Sequence, residues 1–122
     1  MKGQFVRAIY IHHDGCKFDL DHYSNTHVAL GAKQMALGKL GFDNRIIETG
    51  IHGFFDQHPQ QVLTITYYSQ STEFIEKFRT FTQTDVVGPL IEDAKIYTNC
   101  KVQWVCGSFD DDEAITAFKL SA

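Results

Sequence analysis

The stretch FDLDHYSNTHVALG, residues 18–31, decides how the fold of this chain is interpreted. Its apolar and aromatic residues recur at helical spacing, and Asp19 stands where an N-cap side chain accepts hydrogen bonds from free backbone N–H groups. Asp21 adds a negative charge near the positive end of the helix dipole. The stretch therefore predicts an amphipathic helix over about residues 20–37, loosened by Gly31 and ending near Gly38.

One face of this helix carries polar side chains where core residues are expected. A strip about 100° wide contains Leu20, Tyr23, His27, Leu30, Gly31 and Gln34. His27 lies near its centre, and a neutral imidazole buried there loses about 1–3 kcal/mol unless both ring nitrogens find partners. A core histidine bonded to a backbone carbonyl is one interpretation. Three polar side chains, Tyr23, His27 and Gln34, converge on this face. Their convergence favours a second interpretation, a small polar pocket between helix and sheet.

The rest of the chain adds four strands and a second helix. Alternating or β-branched residues predict strands over residues 4–12, 42–52, 60–69 and 101–109, with a possible bulge at Gly50. A second helix has Phe74, Phe78 and Phe81 at i, i+4 and i+7, so these rings are expected to pack on the sheet.

Turn and cap signals around the second helix are less regular. Ser71 or Thr72 is expected to be its N-cap. Gly88-Pro89 is expected to interrupt the helical pattern, after which residues 90–95, LIEDAK, form a short helical turn. The acidic tail, residues 110–122, is compatible with a helix or a further strand.

The order strand, helix, strand, strand, helix, strand is the split βαβ pattern of the ferredoxin-like α+β fold. We expect a four-stranded antiparallel sheet with helices on one face, forming a single domain over residues 1–122. The strands around Ile65 and Trp104 alternate, so each presents a second face that two helices cannot reach. A second copy of the sheet is the simplest cover for that face, which predicts a homodimer.

Composition excludes several classes of partner. The net charge of −4 and the absence of a basic stripe disfavour nucleic acid and acidic lipid surfaces. No apolar run approaches the roughly 20 residues of a membrane span, and the N-terminus does not resemble a signal peptide. Three cysteines, an odd number, suggest reduced thiols. These features predict a cytoplasmic protein without membrane contact.

No metal or cofactor site is predicted. His12, His13, Asp14 and Cys16 invite a zinc interpretation, but adjacent strand residues point to opposite faces. His22 is placed on the helix face away from Leu30. Nothing in the sequence visibly activates Cys16 as a nucleophile. No glycine fingerprint for nucleotides is present, and Cys106 is assigned to packing or a dimer contact.

The opening stretch resembles the signature F-D-x-D-x-Y-x-x-x-H of the EthD-type proteins. The matching residues are Phe18, Asp19, Asp21, Tyr23 and His27, with Ala29 where the family often has proline. A second stretch resembles the family's closing D-x-x-x-Y/F-T pattern through Asp93, Tyr97 and Thr98. The resemblance spans about residues 5–109.

This resemblance implies a dimeric α+β barrel with a pocket between sheet and helices in each unit. It implies His27 as a proton-transfer residue and Tyr23 as its hydrogen-bond partner or an oxyanion donor. The pocket is predicted to bind a small aromatic or lactone-like molecule through Leu20, Leu30, Gln34, Tyr67 and Trp104. Cofactor-independent catalysis is the first hypothesis. The alternative is a ligand-binding or accessory protein of an oxidative catabolic system, without activity of its own.

Overall fold

Four strands form one antiparallel sheet in the order β2-β3-β1-β4. The computed structural model describes residues 2–110. Its strands are β1 (Lys2–Ile11), β2 (Asn44–His52), β3 (Pro59–Ser69) and β4 (Lys101–Asp110). The central strand β1 pairs with β3 and β4, and β2 pairs with β3 at the edge. The four predicted strands and their ferredoxin-like order are confirmed.

The first helix is continuous but not uniform. It consists of α1 (Leu20–His22), a π-helical segment (Tyr23–His27) and α2 (Val28–Leu37). Asp19 has extended backbone angles, and its carboxylate accepts from the backbone N–H of His22 at 3.0 Å. The predicted cap at Asp19 and the end of the helix at Gly38 are therefore confirmed.

The second helical region differs from its prediction. α3 (Phe74–Thr82) begins after Glu73, and the Ser71 hydroxyl accepts from the Glu73 backbone N–H at 3.2 Å within the preceding turn. The predicted cap at Ser71 or Thr72 is wrong, because this turn separates both residues from the helix. A 3-10 turn (Asp85–Val87) then leads into α4 (Gly88–Tyr97).

Gly88-Pro89 begins a helix of ten residues instead of interrupting one. Proline is tolerated in the first helical turn, because its missing N–H would have no partner within the helix there. The predicted short turn over residues 90–95 is the interior of this longer helix.

The helices cover one face of the sheet, and the core lies between the two layers. Paired residues of neighbouring strands point to the same face, as Ala8 and Ile65 do. The largest core side chains with the least exposure are Tyr23, Leu63, Phe74 and Tyr97. Phe74, Phe78 and Phe81 are buried at 1%, 4% and 4% exposure, which confirms the predicted aromatic stripe.

The opposite face of the sheet has no helix over it within residues 2–110. Its apolar side chains include Phe5, Ile9, Ile46, Val62, Tyr68, Val105 and Phe109, and the polar side chains of Glu48, Lys101 and Gln103 lie on the same face. Arg7 lies on the same face, where its Nε donates to Thr66 Oγ1 at 2.8 Å and its guanidinium lies 4.9 Å from the Phe5 ring centre. This surface, called here the open sheet face, is half-buried in the single chain.

Two further predictions concern the acidic tail and membrane-spanning segments. Asp110 ends β4, and the rest of the acidic tail, residues 111–122, lies outside the described residues. No helix within residues 2–110 combines the length and apolar character needed to cross a membrane.

A buried hydroxyl pair gives the first testable prediction. The Tyr10 and Tyr97 oxygens are 2.6 Å apart, and both side chains are buried. Tyr10→Phe or Tyr97→Phe leaves one hydroxyl without a partner, so each should reduce the free energy of unfolding by about 1–3 kcal/mol. The double variant removes both groups and should cost less than the sum of the two. Urea denaturation of the four proteins measures this coupling.

Tyr67→Phe serves as the matched control for this cycle. The Tyr67 side chain is also buried, but its hydroxyl has no hydrogen-bond partner within residues 2–110. Removing it should change the free energy of unfolding by less than about 0.5 kcal/mol. Strict additivity of the Tyr10 and Tyr97 substitutions would contradict the pairing.

Candidate functional site

A cavity of about 270 Å³ lies between the first helix, α3, α4 and the sheet. Most of its wall is apolar. The exceptions are His27, Thr82 and four tyrosines, namely Tyr10, Tyr23, Tyr67 and Tyr97. Ile91 and Trp104, both more than half exposed, lie at its rim between α4 and β4. Such an apolar cavity with a few polar groups is the usual form of a small-molecule site.

His27 is held by a carboxylate from another helix. Its Nδ1 lies 2.8 Å from Asp93 Oδ2, and His22 Nε2 lies 2.9 Å from Asp93 Oδ1. Asp93 belongs to α4 and is only 9% exposed. Because an ionised carboxylate can only accept, both histidines donate, and His27 Nε2 remains without a hydrogen-bond partner within residues 2–110.

The π-helical segment explains why the two histidines meet. Residues five apart in a uniform α-helix point about 140° away from each other. Between His22 and His27 the helix widens, and the Val28 N–H bonds to the Tyr23 carbonyl, five residues back. Both imidazoles therefore face α4. The prediction placed His22 on the face away from Leu30 and, because it assumed a regular α-helix, did not anticipate the contact with Asp93.

Three predicted pocket residues of the first helix lie outside the cavity wall. Leu20 is 48% exposed, and neither Leu20 nor Leu30 reaches the cavity wall. Gln34 is buried, but its side-chain amide donates to the Val86 carbonyl at 2.8 Å and fixes the 3-10 turn. The prediction that Leu20, Leu30 and Gln34 line the pocket, made for a uniform α-helix, is therefore corrected. In their place the α2 wall consists of Val28, Gly31 and Met35.

The other predicted residues do line the cavity. Tyr23 and Tyr67 are buried with their side chains against it, and Trp104 forms part of its rim. Burial raises the pKa of the Tyr67 hydroxyl to about 12 and that of Tyr23 above its ordinary value. Both hydroxyls therefore stay protonated at neutral pH and can donate hydrogen bonds. Neither has a hydrogen-bond partner among residues 2–110.

Burial and the Asp93 carboxylate set the charge of His27. Burial lowers the pKa of the imidazole, the hydrogen bond to Asp93 raises it, and the net result is a pKa below 6.5. Burial has the opposite effect on the Asp93 carboxyl and raises its pKa. The hydrogen bonds from His22 and His27 outweigh this effect of burial and keep the pKa of Asp93 below 3.8. At neutral pH the pair is therefore a neutral imidazole bound to a carboxylate.

Two tyrosine rings fix the plane of this imidazole. Tyr23 stacks on it with ring centres 5.6 Å apart and planes 22° apart. Tyr97 contacts it with ring centres at 4.6 Å. Because the ring is held by these contacts and by Asp93, its free Nε2 has a defined direction. The arrangement is that of a general base with an orienting carboxylate.

Sequence reasoning included Asp93 only as part of the second motif and assigned it no role. The sequence does carry a signal for Asp93, namely its spacing from Tyr97. The two residues lie at i and i+4 and therefore share one face of α4. Both are buried, and both contact His27. A buried acid on the face that meets the first helix is therefore the feature that could have revealed the pair.

Solved structures share this architecture. An EthD-like protein from Ralstonia eutropha JMP134 superposes with a TM-score of 0.67 at 18% identity, covering 88% of this chain and 92% of that chain. The chain has the fold of the EthD-like proteins. An EthD family protein from Bacillus halodurans C-125 gives a TM-score of 0.57 at 17% identity, covering 86% of this chain and 96% of that chain.

No family model and no curated protein matches the sequence. At identities below 20% the two structures establish the fold, and they do not by themselves carry an activity. The EthD-like fold nevertheless confirms the ferredoxin-like arrangement predicted from the order of strands and helices. What the site does has to be argued from its own geometry.

Proposed function

We propose that this chain is an EthD-type protein that binds a compact apolar molecule in the cavity and transfers a proton on it through His27. The observation that supports this most directly is the fixed imidazole at the wall of an apolar cavity. Its Nδ1 is engaged by Asp93, which leaves Nε2 for a ligand. A closed core would not leave a cavity of about 270 Å³ beside a buried histidine.

The groups present suit an isomerisation. His27 Nε2 removes a proton next to a carbonyl group, Asp93 stabilises the imidazolium that forms, and the same proton returns at another carbon. The Tyr23 hydroxyl, held in its protonated form by burial, donates to the negative oxygen that develops on the substrate. Atoms and electrons balance without an oxidant or a cofactor.

The size and lining of the cavity limit the substrate. A cavity of about 150 Å³ holds benzene, so about 270 Å³ has room for one or two rings. Among residues 2–110 the wall offers hydroxyl and imidazole groups but no lysine or arginine side chain, so a neutral molecule fits better than an acid. A small aromatic ketone or lactone meets both conditions.

The proposal is tested by fluorescence and product analysis. Trp104 is the only tryptophan of the chain and lies at the cavity rim, so its emission should change saturably when small lactones and phenols bind. Incubated mixtures are then examined by mass spectrometry and NMR for an isomerised product. A product in the wild type supports the enzyme, and saturable binding without any product supports the accessory alternative.

Gly31 provides a variant that fills the cavity. A Cβ built on Gly31 meets only Leu90 Cδ2, at 4.0 Å, so Gly31→Leu places its side chain in the cavity without a backbone clash. Replacing glycine inside a helix also favours folding. Ala32→Leu, one exposed position further along the same helix, is the matched control. Equal ligand binding by both variants would refute the cavity as the site.

We also propose that the open sheet face is covered by a second copy of the chain. Two such faces would bury roughly 600–1,000 Å² per partner, which is the range of stable interfaces. At about 25 cal/mol per Å² of apolar area, this gain exceeds what a few ion pairs at the rim supply. The resulting twofold dimer would be a barrel of two sheets, and its stability should depend little on salt.

A charge in the middle of the open sheet face should weaken this dimer. Ile9 is a half-buried residue of β1, one of the two central strands, and Ile9→Glu would place two carboxylates, one from each copy, in the apolar part of the interface. We expect the dimer dissociation constant to rise at least about tenfold, measured by sedimentation equilibrium. Leu37→Glu, an exposed position on α2, is the control. A wild-type chain that sediments as a monomer at micromolar concentration would contradict the dimer.

A further inference from the structure

Two loops bring three metal-binding side chains together outside the cavity lining. His13 and Cys16 follow β1, and Cys100 precedes β4. Ligand atoms of the three residues lie within 4.8 Å of one another, and all three residues are partly buried. Cys100 lies far from His13 and Cys16 in the sequence, so ligand spacing along the chain does not reveal this cluster.

A tight turn places His13 beside Cys16. The Cys16 backbone N–H donates to the His13 carbonyl at 3.0 Å, which closes a turn over the sequence HDGC. Gly15 has a φ of +75° in this turn, a conformation that favours glycine. The two side chains, three residues apart, can then approach the same point.

Asn99 fixes the second loop to the first. Its side-chain amide donates to the Gly15 carbonyl at 3.0 Å, and its Oδ1 accepts from the Lys17 backbone N–H at 2.7 Å. The Thr98 hydroxyl also donates to the Lys17 carbonyl at 2.7 Å. These bonds hold Cys100 next to Cys16 independently of any contact between the thiols.

The ring of His13 lies between two backbone carbonyls, of which only one is a close partner. Its Nδ1 lies 2.8 Å from the Asp14 carbonyl, whereas Nε2 has only a weak contact of 3.4 Å to the Asn99 carbonyl. A neutral imidazole carries one N–H, and the shorter contact assigns it to Nδ1. The lone pair therefore lies on Nε2. Metal-bound histidines usually show this arrangement, with the second nitrogen donating to a carbonyl.

We propose that His13, Cys16 and Cys100 bind one Zn²⁺ ion. Two thiolates and an imidazole form a soft donor set that zinc favours, and three protein ligands leave a fourth position for water. Zinc bonds of about 2.0–2.3 Å at tetrahedral angles place ligand atoms roughly 3.3–3.8 Å apart. Separations within 4.8 Å thus require movement of about 1 Å, which side-chain rotation provides.

At this position a bound ion would tie two separate segments of the chain together. It joins the segment that leads into the first helix to the segment that leaves α4, and these two helices carry His27 and Asp93. None of the three ligands lines the cavity. Zinc is therefore expected to raise the melting temperature of the whole chain, because binding to the folded form alone stabilises it.

Cobalt provides a direct spectroscopic test. The reduced full-length protein is titrated with Co²⁺ and then with Zn²⁺. We expect one equivalent of Co²⁺ to give thiolate-to-metal charge-transfer absorption and the intense d–d bands of a tetrahedral ion, both removed by Zn²⁺. Cys16→Ser and Cys100→Ser should each weaken binding by at least about a hundredfold, more than the loss of a residue that only hydrogen-bonds to a ligand causes.

Cys106→Ser is the matched control, since Cys106 is exposed on β4 and outside the cluster. It should bind Co²⁺ with wild-type affinity and spectrum. The proposal is overturned if the reduced wild type shows no thiolate charge transfer at stoichiometric Co²⁺, or if the two cluster variants keep it. It is equally overturned if Cys16 and Cys100 form a disulfide in air and the reduced protein binds neither metal.

Discussion

His27→Gln is expected to lower kcat/KM for the substrate of the proposed isomerisation by about 10²–10⁴-fold, the contribution typical of a positioned general base. Glutamine is close to histidine in size, and its amide can still donate to Asp93, so the cavity wall should remain intact. It has no nitrogen that accepts a proton near neutral pH. The dissociation constant measured by Trp104 fluorescence should therefore change by less than about tenfold, because only the transition state loses an interaction.

The pH profile separates this role from a purely structural one. Burial lowers the pKa of His27 below 6.5, so the imidazole is neutral and active at neutral pH. Activity should fall along an acid limb whose apparent pKa is below 6.5, as protons occupy Nε2. The same shift makes folding less favourable in acid, because the unfolded chain binds the proton first as the pH falls below 6.5.

His58→Gln is the matched control for this prediction. His58 is exposed in the loop between β2 and β3, and it does not line the cavity. Its substitution should leave kcat/KM and the acid limb unchanged. If His27→Gln keeps more than about half of the wild-type turnover, proton transfer by His27 is refuted and the binding hypothesis remains.

The fold could be predicted because its signals are local. Alternation or β-branched residues identified the four strands, and the aromatic stripe of Phe74, Phe78 and Phe81 identified the face of α3. Periods of two and 3.6 residues depend only on backbone geometry and on which face is buried. Gly88-Pro89 was misinterpreted because a Gly-Pro pair is compatible with both a break and a helix start, and only the neighbouring turn decides between them.

The site was predicted less completely, because it depends on contacts between distant segments. His27 and Tyr23 could be recognised from one helix, but the residue that orients His27 comes from α4, and the π-helical segment changes the helix face after His22. No single-helix periodicity predicts that change. Beyond this segment, Leu30 and Gln34 lie outside the cavity wall, while Val28 and Met35 lie in it.

Asp93→Asn should show how far His27 depends on its carboxylate. Asparagine has nearly the same shape and can accept one hydrogen bond, but it is neutral and presents an N–H₂ group to one of the two histidines. The imidazolium formed during proton transfer then has no counter-charge. We expect kcat/KM to fall by about 10²–10⁴-fold, as in serine proteases when the triad aspartate is replaced by asparagine. The protein should remain folded, with a free energy of unfolding lower by about 1–3 kcal/mol.

The direction of two pH effects distinguishes positioning from general destabilisation. Because Asp93 raises the pKa of His27, Asp93→Asn should move the NMR titration of His27 to a still lower pH, and the acid limb of any residual activity with it. The stability advantage of the wild type should be complete above pH 3.8 and disappear as the pH falls through the lowered pKa of Asp93. Asp93→Glu keeps the charge and should recover part of the rate. A variant in which turnover falls while the His27 titration stays in place would contradict the orienting role of Asp93, because a carboxylate that bonds to Nδ1 cannot be removed without changing the proton affinity of the ring.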